Sequence, residues 1–247
     1  MVRTILAASL AAALVAAAAA PVHADAAGDQ ALAAVDAAMN RAKTQYLEYA
    51  VVNQEPGKDA TRMAETVRIK GDKRLTELTA PAAMKGTKVL VLSPTEIYVY
   101  LPAFGKVRRV ASSVTDQGFL GMTFSQDDFL ARYAPLYTAT IAADSAKELQ
   151  LTLTPKPGQT TPYAKILMTV RKDKMLPTAL AYLDAAGHTV KNETRGDYRC
   201  QGTICTATTD KMIDNTKSGT WTTLTRTAWK VNEAMSDDLF SKRALGE

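Results

Sequence analysis

The sequence predicts a mostly β protein, an antiparallel sheet bent into a barrel or sandwich and preceded by one helix. Three observations carry that prediction. Leu32, Val35, Met39, Ala42 and Tyr46 recur at intervals of 3, 4, 3 and 4, which places them in one helical stripe. From residue 66 onward the apolar period changes to two. Short runs rich in Val, Ile and Tyr then follow one another between turn signals, about a dozen in all.

The helix is expected over 29–49, where no Pro or Gly interrupts, with Pro56-Gly57 turning the chain after it. Strands are expected at 66–70, 74–78, 88–92, 96–101, 106–110, 149–154, 165–170, 177–183, 189–198, 203–212 and 220–230. Gly71-Asp72, Ser93-Pro94-Thr95, Ala185-Ala-Gly187-His188, Gln201-Gly202 and Lys217-Ser-Gly219 mark turns between them. Residues 112–133 break the rhythm. Three of the chain's five Phe lie there (Phe119, Phe124 and Phe129), beside Gly118 and Gly121. Ser125, with Asp128 three residues on, reads as a helix start.

The first 24 residues hold no acid, and 19 of them are apolar. Arg3, an apolar run from Ile5 to Ala20, and Val22-His23-Ala24 read as a secretory signal cleaved near Ala24. The run is Ala-rich and shorter than the ~20 strongly apolar residues of a membrane span. The expected product is a periplasmic chain of one domain over 25–247, with no lipid-anchoring Cys at its start and no stable membrane insertion. Loss of Arg3 leaves 29 of the 30 Lys and Arg against 25 Asp and Glu. Cys200 and Cys205, with four residues between them, fit a disulfide across a small hairpin in an oxidising compartment, or two reduced buried thiols.

Most chemistry is missing from the pattern. His188 alone, with two Cys, does not supply a multi-His metal site. There is no G-x-S-x-G elbow, no phosphate-cradling Gly-rich loop and no H-E-x-x-H. His188 reads as a solvated turn residue, and Asp127-Asp128 as first-turn partners of a helix dipole. No enzyme, metal or cofactor is expected, and no nucleic acid. Basic clusters at Lys106, Arg108 and Arg109, at Arg68, Lys70, Lys73 and Arg74, and at Arg171, Lys172 and Lys174 read as solvated faces. A sharper reading is attraction to anionic head groups or to an acidic partner.

An ordered set of segments resembles the LolA-like outer membrane lipoprotein-sorting proteins. The segments are Gly86-Thr-Lys-Val-Leu-Val-Leu92, Ile97-Tyr-Val-Tyr-Leu-Pro102, Val107-Arg-Arg-Val110 and Phe119-Leu-Gly-Met-Thr-Phe-Ser-Gln-Asp-Asp-Phe129. Leu151-Thr-Leu-Thr-Pro-Lys156, Tyr163-Ala-Lys-Ile166, Met175-Leu-Pro177 and Asp237-Asp-Leu-Phe240 continue it. The resemblance implies an incomplete, half-open antiparallel β-barrel of about 11–12 strands, with a helical lid over an apolar cavity. It also implies a carrier of acylated lipoproteins or lipids through the periplasm towards the outer membrane. An inner-membrane exporter and an outer-membrane acceptor would be its partners; a sensor or an exporter's accessory subunit is the other role the fold serves. On strand alternation, Val89, Val91, Ile97, Val99 and Leu101 form one inward face, and Leu149, Leu151, Leu153, Ile166 and Met168 another. Phe119, Leu120, Met122, Phe124 and Phe129 are the expected lid plug. The carriers' early Trp-x-Lys followed by Arg has no match at Ile69-Lys70-Gly71.

Overall fold

A computed structural model describes residues 25–110, 121–129 and 132–246. The expected signal at 1–24, together with Phe119 and Leu120 of the expected plug, lies outside the described residues. Helix α1 covers Ala26–Met39, and the Asp25 carboxylate caps it by accepting from the Ala27 N–H at 3.1 Å. Leu32, Val35 and Ala38 are its buried stripe.

The helix is shorter than the apolar spacing suggests. It stops at Asn40, whose N–H still reaches the Asp36 carbonyl, and Thr44–Gln54 form strand β1 instead. Two strands decide this. β2 (Thr61–Lys70) and β15 (Thr220–Val231) flank β1 and pair with it along nearly its whole length. A helix would satisfy the same backbone groups, but would leave Leu47 and Val51 without the interior they share as alternate residues of a strand.

The remaining strands are β3 (Lys73–Ala80), β4 (Lys88–Ser93), β5 (Glu96–Leu101), β6 (Lys106–Arg109), β7 (Tyr137–Asp144), β8 (Glu148–Pro155), β9 (Lys165–Arg171), β10 (Leu176–Leu183), β11 (Thr189–Gly196), β12 (Arg199–Gln201), β13 (Ile204–Thr206) and β14 (Thr209–Asp214). Among the described residues fifteen strands therefore replace the expected 11–12. β1, β7 and β12 were not expected, and the run at 203–212 divides into β13 and β14. Thirteen strands form one antiparallel sheet, in the order β6-β5-β4-β3-β2-β1-β15-β14-β11-β10-β9-β8-β7.

That sheet is strongly curled but is not a closed barrel. Val89 and Ile97, from β4 and β5, share one buried cluster with Leu151, Leu153, Ile166 and Met168, from β8 and β9. β4 and β8 are nine strands apart in the sheet order, which would be roughly 43 Å across a flat sheet at the usual ~4.8 Å spacing. Only curling brings the two groups together. β6 and β7 remain the two edges. α1 covers the β7 edge: Asp29 accepts from the Ala139 N–H at 2.7 Å, and Asp25 from the Ile141 N–H at 3.1 Å. Two otherwise unpaired edge donors are thereby satisfied.

A second cluster lies on the convex face, where Leu75, Leu90 and Tyr98 are covered by Phe240 and Leu245. Leu245 belongs to the short helix α2 (Lys242–Leu245). Cys200 and Cys205 face each other across β12 and β13, joined by a disulfide with Cα atoms 4.0 Å apart. His188 is exposed in the turn after β10, 3.4 Å from Asp184. Among the described residues, no helix is long and apolar enough to cross a membrane.

The docking of α1 is tight at one point. A Cβ built on Gly28 would lie 2.3 Å from the Ala139 carbonyl oxygen and 2.7 Å from its carbon. Backbone is the obstacle, so α1 would have to lift from β7. Gly28→Ala should therefore lower stability by about 1–3 kcal/mol in urea denaturation, despite its gain in helix propensity.

Candidate functional site

The concave face of the sheet is the candidate site, and it is built in three zones. One wing is apolar: Val89 and Ile97 are buried, Val91 and Val99 are half-buried against them, and Leu101 is half-buried beyond that cluster. Leu149, Leu151, Leu153, Ile166 and Met168 form the other wing, all buried. Between the wings runs a polar strip contributed by β2, β3, β11, β14 and β15. Strand parity places Glu65, Arg74, Lys191, Glu193, Arg195, Asp210, Asp214 and Thr222 on this inner side.

A segment of the Phe-rich insert lies across the concave face. Met122 and Phe124 are buried in the main cluster. Phe129 packs against it with its ring 5.3 Å from that of Phe124, in stacked geometry. The expected cap is present and reciprocal: the Ser125 N–H donates to Asp128 Oδ2 at 2.7 Å, and the Asp128 N–H donates to Ser125 Oγ at 3.3 Å. It starts only a 3-10 turn, Asp127–Phe129, rather than a helix. A helical lid is thus not what the described residues of this segment form.

Asp128 is the segment's anchor. Its side chain has no solvent exposure, and it accepts from Lys191 Nζ at 2.6 Å and from the Tyr163 hydroxyl at 2.5 Å. Asp127 and Asp128 do lie in a first turn, as the sequence suggests, but Asp128 is in addition a buried partner of Lys191 and Tyr163. Further along, the Thr123 N–H donates to Thr222 Oγ1 at 2.8 Å, and Thr222 in turn donates to Asn53 Oδ1 at 2.7 Å. From the opposite side Arg74 donates to Gln126 Oε1 at 2.6 Å and lies 4.5 Å from the Phe129 ring centroid. Arg74 is consequently no part of a solvated basic face. Burial pulls its guanidinium down to about 10.

A second buried network lies deeper on the strip. Glu193 accepts from the Tyr182 hydroxyl and from Arg195 Nε, and Arg195 is also 3.8 Å from Asp210. Burial, reinforced by repulsion from Glu193, raises the Asp210 carboxyl well above the usual range. Glu65 is buried opposite Leu78, and its Oε2 has no hydrogen-bond partner among the described residues. Burial lifts this carboxyl to about 7, against the pull of Arg74.

Open space lies at one end of the concave face, where the apolar wings do not reach. A cavity of about 850 Å³ is lined by Asn53, Glu55, Met122, Lys191, Asp214, Lys217 and Thr220 among others. The expected cavity was apolar. The apolar wings are instead filled by the chain's own side chains, and the space that remains is at a polar mouth. Alternating-sign charges at one strand parity, Lys191, Glu193 and Arg195, were the signal for the strip. In sequence they look like a solvated strand face.

A family model, described as that of an uncharacterized protein of DUF1329-like type, matches residues 70–247. The chain belongs to this DUF1329-like family. Its fold is similar to that of a DUF1329 family protein from Desulfovibrio piger, with 24% identity and a TM-score of 0.82, over 89% of this chain and 98% of that one. An outer membrane lipoprotein-sorting protein domain from Vibrio parahaemolyticus is similar at 20% identity and a TM-score of 0.80, over 90% and 99% of the two chains. A LolA superfamily protein from Nitrosomonas europaea follows at 19% identity and a TM-score of 0.72, over 88% and 98%. No curated protein sequence matches the chain. At these identities the likeness establishes a LolA-like fold, with its sheet open rather than closed. Among the described residues no group of His, Cys, Asp and Glu is arranged to hold a metal ion.

Glu65 gives this site a pH signature. An unfolded glutamate titrates near 4.5, whereas the buried one titrates near 7. Folding therefore takes up a proton between these values. The stability tied to the protonated carboxyl is complete below pH 4.5 and is lost as pH rises through 7. Glu65→Gln keeps the shape and removes the titration. Its unfolding free energy relative to wild type should rise by about 3 kcal/mol between pH 4.5 and pH 7.5, measured by urea denaturation at each pH.

Proposed function

We propose that this DUF1329-like protein is an exported carrier that takes acyl chains of lipids or lipoproteins onto its concave face. On this reading it moves them through the periplasm towards the outer membrane. The observation that carries the reading is the construction of that face. Two apolar wings are covered by Met122, Phe124 and Phe129, apolar side chains on a short segment held to the sheet by contacts of Thr123, Gln126 and Asp128. Val89, Val91, Ile97, Val99 and Leu101 on one wing, and Leu151, Leu153, Ile166 and Met168 on the other, are the proposed ligand-binding residues. Phe119 and Leu120, with the three side chains just named, complete the proposed plug.

The physical need is clear. A methylene of an acyl chain costs about 0.8 kcal/mol in water, so a chain of ~16 carbons costs on the order of 12 kcal/mol. A carrier offers an apolar surface of comparable size, and it must also let go. A covering that is itself apolar meets both demands, because it takes back the same surface when cargo leaves. An open sheet permits this exchange, since its edges β6 and β7 are not bonded to one another. The fold shared with a lipoprotein-sorting domain supports the same reading.

Export is part of the proposal. Asp25, the residue after the expected cleavage site, caps α1 and bonds the β7 edge, so a chain beginning there keeps its first structural contact. The disulfide suits an oxidising compartment. Mass spectrometry of the exported protein should find Asp25 at its start; a chain retaining residues 1–24 would overturn this part.

If Phe124 competes with cargo, Phe124→Ala should tighten binding of a fluorescent fatty-acyl probe at least fivefold, while costing about 3–5 kcal/mol of stability. Leu90→Ala, a comparable truncation in the convex cluster, should lose stability and leave the probe affinity unchanged. Equal probe affinity in wild type and both variants would mean that Phe124 is core and covers no site.

A further inference from the structure

The convex and concave faces leave one exposed large aromatic among the described residues, and its position is informative. Phe104 is 63% exposed at the tip of the β5–β6 hairpin. It does not stand out because the turn is poorly made: the Gly105 N–H reaches both the Leu101 and Pro102 carbonyls at 3.1 Å, and Gly105 takes the left-handed conformation such a turn requires (φ 57°). The neighbouring β3–β4 connection touches this tip, since a Cβ on Gly86 would lie 3.3 Å from Pro102 Cγ. Pro81, Ala82 and Ala83 of that connection are exposed as well. Two adjacent loops thus present a small apolar prominence to solvent.

Its charge is one-sided. Residues 79–110 carry Lys85, Lys88, Lys106, Arg108 and Arg109, and a single acid, Glu96, which opens β5 at the opposite end of these strands. Among the described residues Lys85 and Lys106 have no acidic partner. Arg108 lies 5.8 Å from the Phe104 ring centroid. The other basic clusters differ. At the far end of the sheet Lys70 and Lys73 hold Asp237, Arg171 holds Asp173 and Lys172 holds Asp144. Among the described residues, the cations of the 70–73 and 171–172 turns are therefore matched with carboxylates, whereas Lys85 and Lys106, beside an exposed aromatic at the other end, are not.

Strand register fixes which end this is. Leu101 pairs with Lys106, Gln54 with Trp221, and Asp214 with Thr220. The β5–β6 tip, the β1–β2 loop and the β14–β15 loop are on the same end, and the last two line the polar mouth.

We propose that this tip docks on the surface of an anionic bilayer. Phe104 and the Pro-Ala loop sit at the level of the head groups, with Lys85, Lys106 and Arg108 on the phosphates, so that the mouth of the concave face meets the membrane. An aromatic at the interface and cations on anionic head groups are the usual complements of such a surface. The purpose rests on the carrier reading: cargo would pass between bilayer and concave face without crossing open water. The docking itself is a separate property.

The test uses the exported chain with Phe104→Cys labelled by an environment-sensitive NBD fluorophore. The two native cysteines are in the disulfide, so the new thiol alone reacts. NBD emission should rise with vesicles of phosphatidylcholine plus phosphatidylglycerol, stay unchanged with phosphatidylcholine alone, and fall back with added salt. Lys85→Glu with Lys106→Glu should weaken partitioning about thirtyfold or more. Lys174→Glu, exposed at the far end, should leave it unchanged. No response to anionic vesicles, or an equal loss in Lys174→Glu, would overturn the proposal. So would retention by a membrane protein in detergent without any response to protein-free vesicles. Uptake of a soluble fatty-acyl probe by the same variants reports the carrier reading independently, so the two failures are distinguishable.

Discussion

A buried carboxylate holds this structure's two aspects together. Asp128 belongs to the insert, Lys191 to β11 and Tyr163 to the approach to β9, and they meet with no solvent at the carboxylate. Taking an ion pair out of water costs several kcal/mol per ion, and good geometry only offsets that cost. The pair is thus weak as a source of net stability and strong as a source of position. Removing either partner leaves a buried charge, so the insert has one acceptable seat on the concave face. Phe124 and Phe129 are placed by that seat, and with them the covering of both apolar wings.

The seat exists only because the sheet curls. Thirteen strands in one sheet would expose a very wide apolar surface if flat. Twist and curling bring the β4–β5 wing and the β8–β9 wing onto one core. An open sheet of this kind has two edges to protect. α1 protects one, through Asp25 and Asp29 on the β7 amides and through the missing side chain of Gly28. The other edge, β6, is short and carries Lys106, Arg108 and Arg109, a charged margin that resists pairing with another strand.

The polar strip alters what the concave face can do. Glu65, Arg74, Glu193, Arg195 and Asp210 are held in a low-dielectric interior, and burial shifts several of them far from their ordinary titration. Such groups tolerate displacement poorly, because each would lose its partners. The apolar wings tolerate it better, since one hydrocarbon surface replaces another. On the proposed carrier reading, exchange of plug for cargo is therefore easiest at Met122, Phe124 and Phe129, once the Asp128–Lys191 contact opens, and the rest of the strip acts as the fixed floor beneath them.

The strand class, the turn positions, the inward parity of Val89, Ile97, Leu151 and Ile166, and the disulfide hairpin were legible in the sequence, because each is set by neighbours a few residues away. The limit showed at residues 44–54. Their Leu, Tyr and Val fit the tail of a helical stripe as well as a strand, and only β2 and β15 on either side made them a strand. The same holds for charge. Asp128, Lys191, Glu193 and Arg74 look solvated along the chain, since local sequence carries no record of which face a curled sheet turns inward. Composition and periodicity determined most of the strands by themselves, but not β1 or β7. Tertiary structure decided where the charges are buried, because burial depends on contacts between strands distant in sequence, and burial is what separates a solvated cluster from a buried anchor.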